Sequence, residues 1–106
     1  MKNKYFIVYD NTTDRMIITK KYSEIYDFIV SNPNSKIKTI GLDAKAKILN
    51  KKVFLTLFLK NTNNKNKFYE LVKILISGTN NVIPYLSSVN LTDEYKYYMN
   101  HKNDLL

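Results

Sequence analysis

The chain of 106 residues contains no cysteine, only two glycines and a single histidine. Without cysteine it can form no disulfide, no thiolate zinc site and no cysteine nucleophile. Gly41 and Gly78 are too few for a glycine-rich phosphate-binding loop or a dinucleotide fingerprint. His101 alone cannot supply a two-histidine metal site, and it lies in the last turn of the chain, where a hydrolytic triad is not expected. We therefore expect a protein that is not an enzyme and that has no metal site and no cofactor.

Acidic residues are few and scattered, yet one short segment matches a catalytic pattern. Asp43-Ala-Lys45 has the Asp/Glu-x-Lys spacing of restriction-type nuclease sites, in which carboxylates hold Mg²⁺ beside a lysine. Such a site needs a second acid on a neighbouring strand, and the only upstream aspartates are Asp10, Asp14 and Asp27. Because three-residue matches are common in a lysine-rich chain, we expect Asp43 to cap a helix or to form a turn.

Long apolar runs are missing as well. The basic start of the sequence is followed only by Tyr5–Tyr9 before Asp10 interrupts the run, so we expect no secretory signal. The longest later apolar stretch, Val53–Leu59, has the length of a strand and is far below the roughly 20 residues that span a bilayer. Since the absence of cysteine suits a reducing compartment, we expect a cytoplasmic protein with no membrane contact.

Lysine dominates the residues that are present, with sixteen lysines against one arginine, among fourteen asparagines and nine tyrosines. These residues have A/T-rich codons, so part of the bias has a genomic origin. Codon bias does not require the net charge of +8, which predicts binding to a polyanion or to an acidic partner surface. A hydrophobic content of 44% is enough for one ordinary core, and we expect residues 1–106 to form one domain.

The first half of the chain predicts a hairpin, a helix and a third strand. Tyr5–Asp10 has apolar residues at both odd and even positions, which is typical of a strand covered on both faces. The turn chemistry of Asn11–Asp14 leads into a returning strand, Arg15–Lys21. The sequence then predicts a helix over Glu24–Val30, capped by Ser23 and ended by Pro33, and a strand over Lys36–Leu42.

The second half begins with an ambiguous segment, 43–50, which is either a helical turn capped by Asp43 or a second hairpin pivoting at Gly41. Alternating apolar residues in Lys52–Lys60 predict a strand at the centre of the sheet. The next predictions are a mobile polar loop over Asn61–Lys67 and a helix over Phe68–Ser77 that buries Phe68, Leu71, Val72 and Leu75. An edge strand is predicted over Val82–Leu86, followed by a helix that Thr92 caps, that extends to about Lys102 and that has Tyr95, Tyr98 and Met99 inward. The predicted class is α+β, with two to three helices packed on a mostly antiparallel sheet of four to five strands.

The lysines suggest where a polyanion would bind. If residues 36–47 form a hairpin, Lys36, Lys38, Lys45 and Lys47 are expected to form one stripe whose width suits a phosphate backbone. Simple solvation is the alternative explanation for any single cluster of lysines. The candidate nucleic-acid-binding residues are Lys36, Lys38, Lys45, Lys47, Lys51, Lys52, Lys65 and Lys67.

The tyrosines allow two interpretations. Tyr5 and Tyr9 are expected in the core or half-buried in the sheet. Tyr95, Tyr97 and Tyr98 are candidates for stacking on unpaired bases or for anchoring a protein partner. The alternative is structural, with Tyr95 and Tyr98 fixing the last helix and Tyr97 covering a seam.

Three functional hypotheses follow from this composition, which is typical of accessory proteins from phages and mobile elements. The first is a small binding protein that engages RNA or DNA through a lysine-rich face, largely by backbone contacts, because lysine lacks the planar fork with which arginine reads base edges. The second is a protein inhibitor of anti-defence or anti-CRISPR type that binds a host nuclease or effector complex, alone or together with its RNA. The third is a self-assembling subunit that pairs through the predicted edge strand Val82–Leu86.

Overall fold

The structure, a computed structural model, describes residues 4–76 and 79–105. Within these residues the chain forms four strands and five helices. In chain order they are β1 (Tyr5–Asp10), β2 (Arg15–Thr19), α1 (Tyr22–Ser31), β3 (Lys36–Ile40), β4 (Ala46–Ile48), α2 (Lys51–Asn61), α3 (Lys65–Leu75), α4 (Thr79–Ser88) and α5 (Thr92–Leu105). The strands form one antiparallel sheet in the order β2-β1-β3-β4. The predicted α+β class is confirmed, with five described helices where two to three were expected.

The first hairpin and α1 agree with the sequence prediction except at the start of the helix. The prediction that Ser23 is the N-cap is wrong, because α1 already includes it and Lys21 occupies the cap position without a side-chain hydrogen bond. The helix ends at Ser31, as expected from the restriction that Pro33 places on the residue before it. Local signals were therefore sufficient for this part of the fold.

Residues 43–50 form the second hairpin, which was one of the two alternatives. The backbone N–H of Ala44 donates to the carbonyl of Gly41 at 3.0 Å, which closes the turn. The Asp43 carboxylate accepts the N–H of Lys45 at 3.1 Å, so Asp43 is a turn former as expected. The strand β4 then pairs antiparallel with β3.

The prediction of a central strand over Lys52–Lys60 is wrong, because this segment lies within helix α2. The buried residues of α2 are Phe54, Leu55 and Phe58. They lie on one side of a helix, whereas on a strand they would lie on both faces. Val53, which the strand prediction placed in the same apolar face as Leu55, is 50% exposed. Asn50 caps the helix, since its side chain accepts the N–H of Lys52 at 2.7 Å.

The predicted loop over Asn61–Lys67 is also too long. Asn61 is the last residue of α2, and α3 begins at Lys65. The side chain of Asn64 starts α3 by accepting the backbone N–H groups of Asn66 at 3.0 Å and Lys67 at 3.3 Å. The four core residues predicted for this helix, Phe68, Leu71, Val72 and Leu75, are all buried. Gly78, its predicted end, lies outside the described residues.

The prediction of an edge strand over Val82–Leu86 is wrong as well, because α4 includes these residues and Pro84 lies inside the helix. Val82, Tyr85 and Leu86 are buried at helical spacing, while Pro84 is exposed. The third hypothesis, self-assembly through this strand, therefore loses its basis. The last helix is present as predicted, but the prediction that Thr92 is its N-cap is wrong, because α5 already includes Thr92 and extends to Leu105.

The core lies between the helices and one face of the sheet. Phe6, Val8 and Ile37 from that face belong to the core cluster, together with buried residues of the helices. The ring of Phe54 from α2 meets Phe6 edge-on with 6.0 Å between centroids, and Tyr22 of α1 stacks on Phe54 at 6.2 Å. These contacts fix α1 and α2 to the sheet, and none of the described helices covers its other face. None of the described helices combines the length and the apolar character needed to cross a membrane.

Candidate functional site

The outer sheet face is the side of the sheet turned away from the core. Strand residues of alternate parity form it, because successive side chains of a strand point to opposite faces. Its members are Tyr5, Ile7, Tyr9, Met16, Ile18, Lys20, Lys36, Lys38, Ile40, Ala46 and Ile48. The expectation that both faces of β1 are covered is therefore wrong, since Tyr5 is 43% exposed and the helices bury only the face that carries Phe6 and Val8.

Strand register arranges the outer sheet face in rows that cross the sheet. One row consists of Ile18, Ile7, Lys38 and Ile48, and the next consists of Met16, Tyr9 and Lys36. A further row joins Tyr5, Ile40 and Ala46. Since direct neighbours in such rows have Cβ atoms about 4.5–5.5 Å apart, each lysine contacts apolar or aromatic side chains of the adjacent strand.

Two lysines of this face lie over tyrosine rings. The Nζ atom of Lys20 is 4.7 Å from the ring centroid of Tyr5, and that of Lys38 is 5.2 Å from the ring centroid of Tyr9. Both distances are within the range of a cation–π interaction, which contributes about 0.5–1 kcal/mol at an exposed site. Each tyrosine ring on β1 thus has an ammonium group beside it.

The outer sheet face combines positive charge with exposed apolar surface. Its members include three lysines and no acidic residue, and Asp10 and Asp14 at the β1–β2 turn line a depression at one end of the face together with Tyr9 and Lys38. Met16 is 60% exposed, Ile18 56% and Ile48 83%. Side chains of this size are rarely left exposed together on a sheet unless they contact a partner. The arrangement can therefore hold a ligand that offers negative charge together with flat or apolar groups.

The predicted stripe of Lys36, Lys38, Lys45 and Lys47 is wrong. Lys38 pairs with Ile48, whereas Lys47 pairs with Thr39 and so points to the opposite side of the sheet. Lys45 and Lys47 instead line a depression of about 200 Å³ at the tip of the β3–β4 hairpin, together with Lys4. Of the four lysines, only Lys36 and Lys38 belong to the outer sheet face.

The other candidate lysines lie on the helices. Lys51 and Lys52 are exposed in the first turn of α2. Lys65, in the first turn of α3, forms an ion pair with Glu94 at 2.7 Å, and the Nζ atom of Lys67 lies 5.0 Å from the ring centroid of Tyr26. The structure therefore does not bring the eight predicted lysines together on one surface.

The three candidate tyrosines of α5 differ in exposure. Tyr98 is 1% exposed, and its hydroxyl donates a hydrogen bond to the carboxylate of Glu70 on α3. Tyr95 packs against the core, so these two side chains attach α5 to the rest of the protein, as the structural alternative stated. Tyr97 is 59% exposed and stacks on His101 with 4.2 Å between ring centroids. Met99, expected to point inward, is 37% exposed.

The buried tyrosines near α5 predict a loss of stability at alkaline pH. Burial, together with Glu94, raises the pKa of Tyr69 to about 12, whereas an unperturbed tyrosine has a pKa of 10.0. Burial and the hydrogen bond to Glu70 raise the pKa of Tyr98 too. Because the folded chain holds these hydroxyls neutral, their contribution to stability is complete below pH 10 and is lost as the pH rises toward 12.

Urea denaturation at several pH values across this window measures that loss as a falling free energy of unfolding. The matched control is the Tyr69→Phe, Tyr98→Phe double variant, which lacks these two hydroxyls and is expected to show a flatter dependence on pH. Some dependence remains, because burial also raises the pKa of Tyr22, Tyr26, Tyr85 and Tyr95. An equally steep fall in the double variant would show that other groups cause it.

Sequence reasoning missed Tyr5, Tyr9 and Lys20 as members of a site. The pattern that could have identified the two tyrosines is the alternation in β1, because Tyr5, Ile7 and Tyr9 occupy every second position and so share one face of the strand. The same pattern is compatible with a strand covered on both sides, and only the position of the helices decides between the two. No group of three or more His, Cys, Asp or Glu residues that could hold a metal ion occurs in residues 4–76 and 79–105.

Fold and site together define a small α+β protein with a basic, partly apolar and open sheet face. Comparison with protein-family models, with curated proteins and with solved structures finds no match to the chain. We therefore base the function on the chemistry of the outer sheet face.

Proposed function

We propose that the protein is a cytoplasmic, non-enzymatic binding protein that holds single-stranded RNA or DNA on its outer sheet face. The observation that carries the proposal is the pair of tyrosines on β1, each with a lysine ammonium within about 5 Å of its ring. Proteins that bind single strands combine aromatic rings, on which bases stack, with cations that contact phosphates.

The spacing of the tyrosines suits an extended strand of nucleic acid. Tyr5 and Tyr9 are four residues apart on β1, which corresponds to about 13 Å along a strand. Bases stacked on the two rings would bring the phosphate backbone between them past Lys38 and Lys36 on the adjacent β3. Each lysine that now lies over a ring has the length and freedom to turn to a phosphate when a base takes its place.

Recognition of this kind tolerates many sequences. Lysine contacts phosphate as a point charge and lacks the bidentate geometry with which arginine reads guanine. The only arginine, Arg15, is not on the outer sheet face. Stacking does not discriminate strongly between bases, because every base has a π face. We therefore expect binding that depends strongly on salt and weakly on sequence.

The experiment that tests the function is a titration of isotope-labelled protein with short oligouridine and oligothymidine, followed by amide chemical shifts. Shift changes are expected to concentrate in β1, β2 and β3 and to spare α4 and α5. A duplex of equal length is the control, and it is expected to bind more weakly because its bases cannot reach Tyr5 and Tyr9. The absence of shift changes with both single strands would refute the function, and changes confined to α2 or α3 would refute the site.

A second candidate function is that of a protein inhibitor directed at a host nuclease or effector complex. The exposed aliphatic side chains of Met16, Ile18 and Ile48 support it, because such groups add little to phosphate binding and are common at the centre of protein interfaces. Exposed Tyr97 is a further anchor candidate, whereas buried Tyr98 is not. A tagged protein that retains a partner after nuclease treatment and in high salt would favour this candidate, since apolar contacts are not screened.

A further inference from the structure

The two edges of the sheet differ in character. At one edge β4 is three residues long and has a lysine at its centre, features that discourage pairing with another strand. At the other edge β2 is five residues long and contains no lysine between Arg15 and Thr19. Every second residue of an edge strand turns its N–H and C=O groups away from its neighbour. In the described part of the chain no strand lies on that side of β2.

A groove of about 890 Å³ runs along this edge, between β2 and α1. All five residues of β2 line it, so the groove follows the backbone edge of the strand and not one of its side-chain faces. The residues of α1 that line it have the spacing of a single helical stripe; they are Glu24, Asp27, Phe28 and Ser31. An extended segment as long as β2, about 17 Å, fits in this position.

The groove is acidic in a chain that is strongly basic overall. Asp14, Glu24 and Asp27 line it, with Arg15 as the one basic side chain among its lining residues. The net charge of the whole chain is +8. At physiological salt the Debye length is about 8 Å, so a bound segment experiences these nearby carboxylates more strongly than distant lysines.

From these observations we propose that the β2 edge binds an extended segment of a partner protein as a fifth strand of the sheet. The segment has basic and apolar residues in alternation. Side chains of one parity face α1, where Glu24 and Asp27 favour lysine or arginine. Side chains of the other parity continue the outer sheet face beside Met16 and Ile18, where apolar groups pack. The backbone hydrogen bonds supply affinity, and this alternation supplies selectivity.

A second copy of the chain fits the edge less well. Pairing of β2 with β2 of another copy would bring the acidic stripe of one α1 toward that of the other. It would also join two chains that each have a net charge of +8. The charge of the groove therefore favours a basic segment of another protein.

This proposal goes beyond nucleic-acid binding and does not depend on it. The nucleic acid is expected on Tyr5, Tyr9 and the lysines, whereas the peptide is expected at the backbone edge of β2. Loss of one ligand can therefore be measured while the other is retained.

The test uses the full chain and three fluorescent peptides of about ten residues, longer than the five-residue strand they must pair with. The first alternates lysine and valine, the second has all its lysines before its valines, and the third alternates glutamate and valine. Fluorescence anisotropy at physiological salt is expected to show binding of the first peptide at least about tenfold tighter than the other two. Amide hydrogen exchange is expected to slow at alternate residues of β2 when the first peptide binds.

Asp27→Lys is the variant that tests the groove. Asp27 is exposed, and the change is expected to weaken binding of the alternating lysine–valine peptide about tenfold without changing the affinity for oligouridine. Asp93→Lys makes the same change of charge on α5, far along the chain from the groove, and is expected to leave both affinities unchanged. Thermal melting verifies that both variants are folded.

Several results would overturn the proposal. Equal binding of the two lysine–valine peptides would show attraction by charge alone, and equal losses in Asp27→Lys and Asp93→Lys would show the same. Unchanged exchange in β2 would exclude an added strand. Sedimentation of the free protein as a dimer that the peptide does not dissociate would assign the edge to a second copy of the chain.

Discussion

Replacing Lys20, Lys36 and Lys38 by glutamine is expected to weaken binding to a single-stranded oligonucleotide about 100-fold at about 0.1 M salt. Each phosphate contact on a single strand contributes roughly 0.7 to the slope of log K against log salt. Three lost contacts reduce the slope by about 2, which corresponds to about two orders of magnitude at this salt concentration. Fluorescence anisotropy over a series of salt concentrations measures the affinity and the slope together.

The matched control replaces Lys51, Lys52 and Lys60, three exposed lysines of α2. Both variants lose the same formal charge, so a general attraction to polyanions would decrease equally in the two. If the outer sheet face is the interface, the α2 variant retains most of its affinity. Equal losses would show that binding follows total charge, and a larger loss in the α2 variant would move the interface to that helix.

Replacing Phe54 by alanine is expected to destabilise the protein by about 3–5 kcal/mol. Phe54 is 0% exposed and touches the rings of Phe6, Tyr22 and Phe58, so its removal leaves a cavity where α1, α2 and the sheet meet. A small domain has a total stability of about 5–15 kcal/mol, so the variant is expected to lose a large part of it and to melt at a clearly lower temperature. Urea denaturation followed by circular dichroism measures the difference.

Val53→Ala is the control on the same helix. Val53 is 50% exposed, and the substitution is expected to change stability by less than about 0.5 kcal/mol. The two variants also distinguish a helix from a strand. On a strand, Val53 and Leu55 would share the apolar face, and Val53→Ala would then lower the free energy of unfolding clearly. A cost at Val53 similar to that at Phe54 would contradict the burial seen in α2.

The part of the fold that was predicted correctly depends on local signals. The turn residues between β1 and β2 and the proline after α1 act within a few positions, so their effect can be inferred without knowledge of the rest of the chain. The start of α3 has a signal of the same kind, since Asn64 is a common type of helix cap. The sequence alone did not single out Asn64, because neighbouring asparagines of the same segment do not cap the helix.

The wrong predictions concern segments whose secondary structure depends on contacts with residues that are distant in the sequence. The segment Val53–Leu59 satisfies the period of a strand and that of a helix, and its packing against Phe6, far away in the sequence, selects the helix. In α4 the burial of Val82, Tyr85 and Leu86 outweighs the penalty of an internal proline. Neither outcome can be calculated from the segment alone.

The site was predicted only in part, for a geometrical reason. Lys36 and Lys38 were identified, but the side of the sheet on which Lys47 lies depends on the register of a hairpin, and a shift of one residue reverses it. The exposure of Tyr5 depends on which face the helices cover. The excess of lysine at the candidate interface was predictable from composition, whereas its aromatic members were not.

The position of β1 in the middle of the sheet has a consequence during protein synthesis. Its first partner, β2, follows after a short turn, but its second partner, β3, is complete only when Ile40 has been made. At about 5–20 residues per second the ribosome needs roughly 1–4 s to pass from the end of β2 to the end of β3. The strands leave the ribosome with the same delay between them, and during it the emerged chain can form only a two-stranded ribbon, which is marginally stable by itself and keeps one edge of β1 open. Misfolding and chaperone binding should therefore concentrate on the interval in which β1 and β2 have left the ribosome and β3 has not.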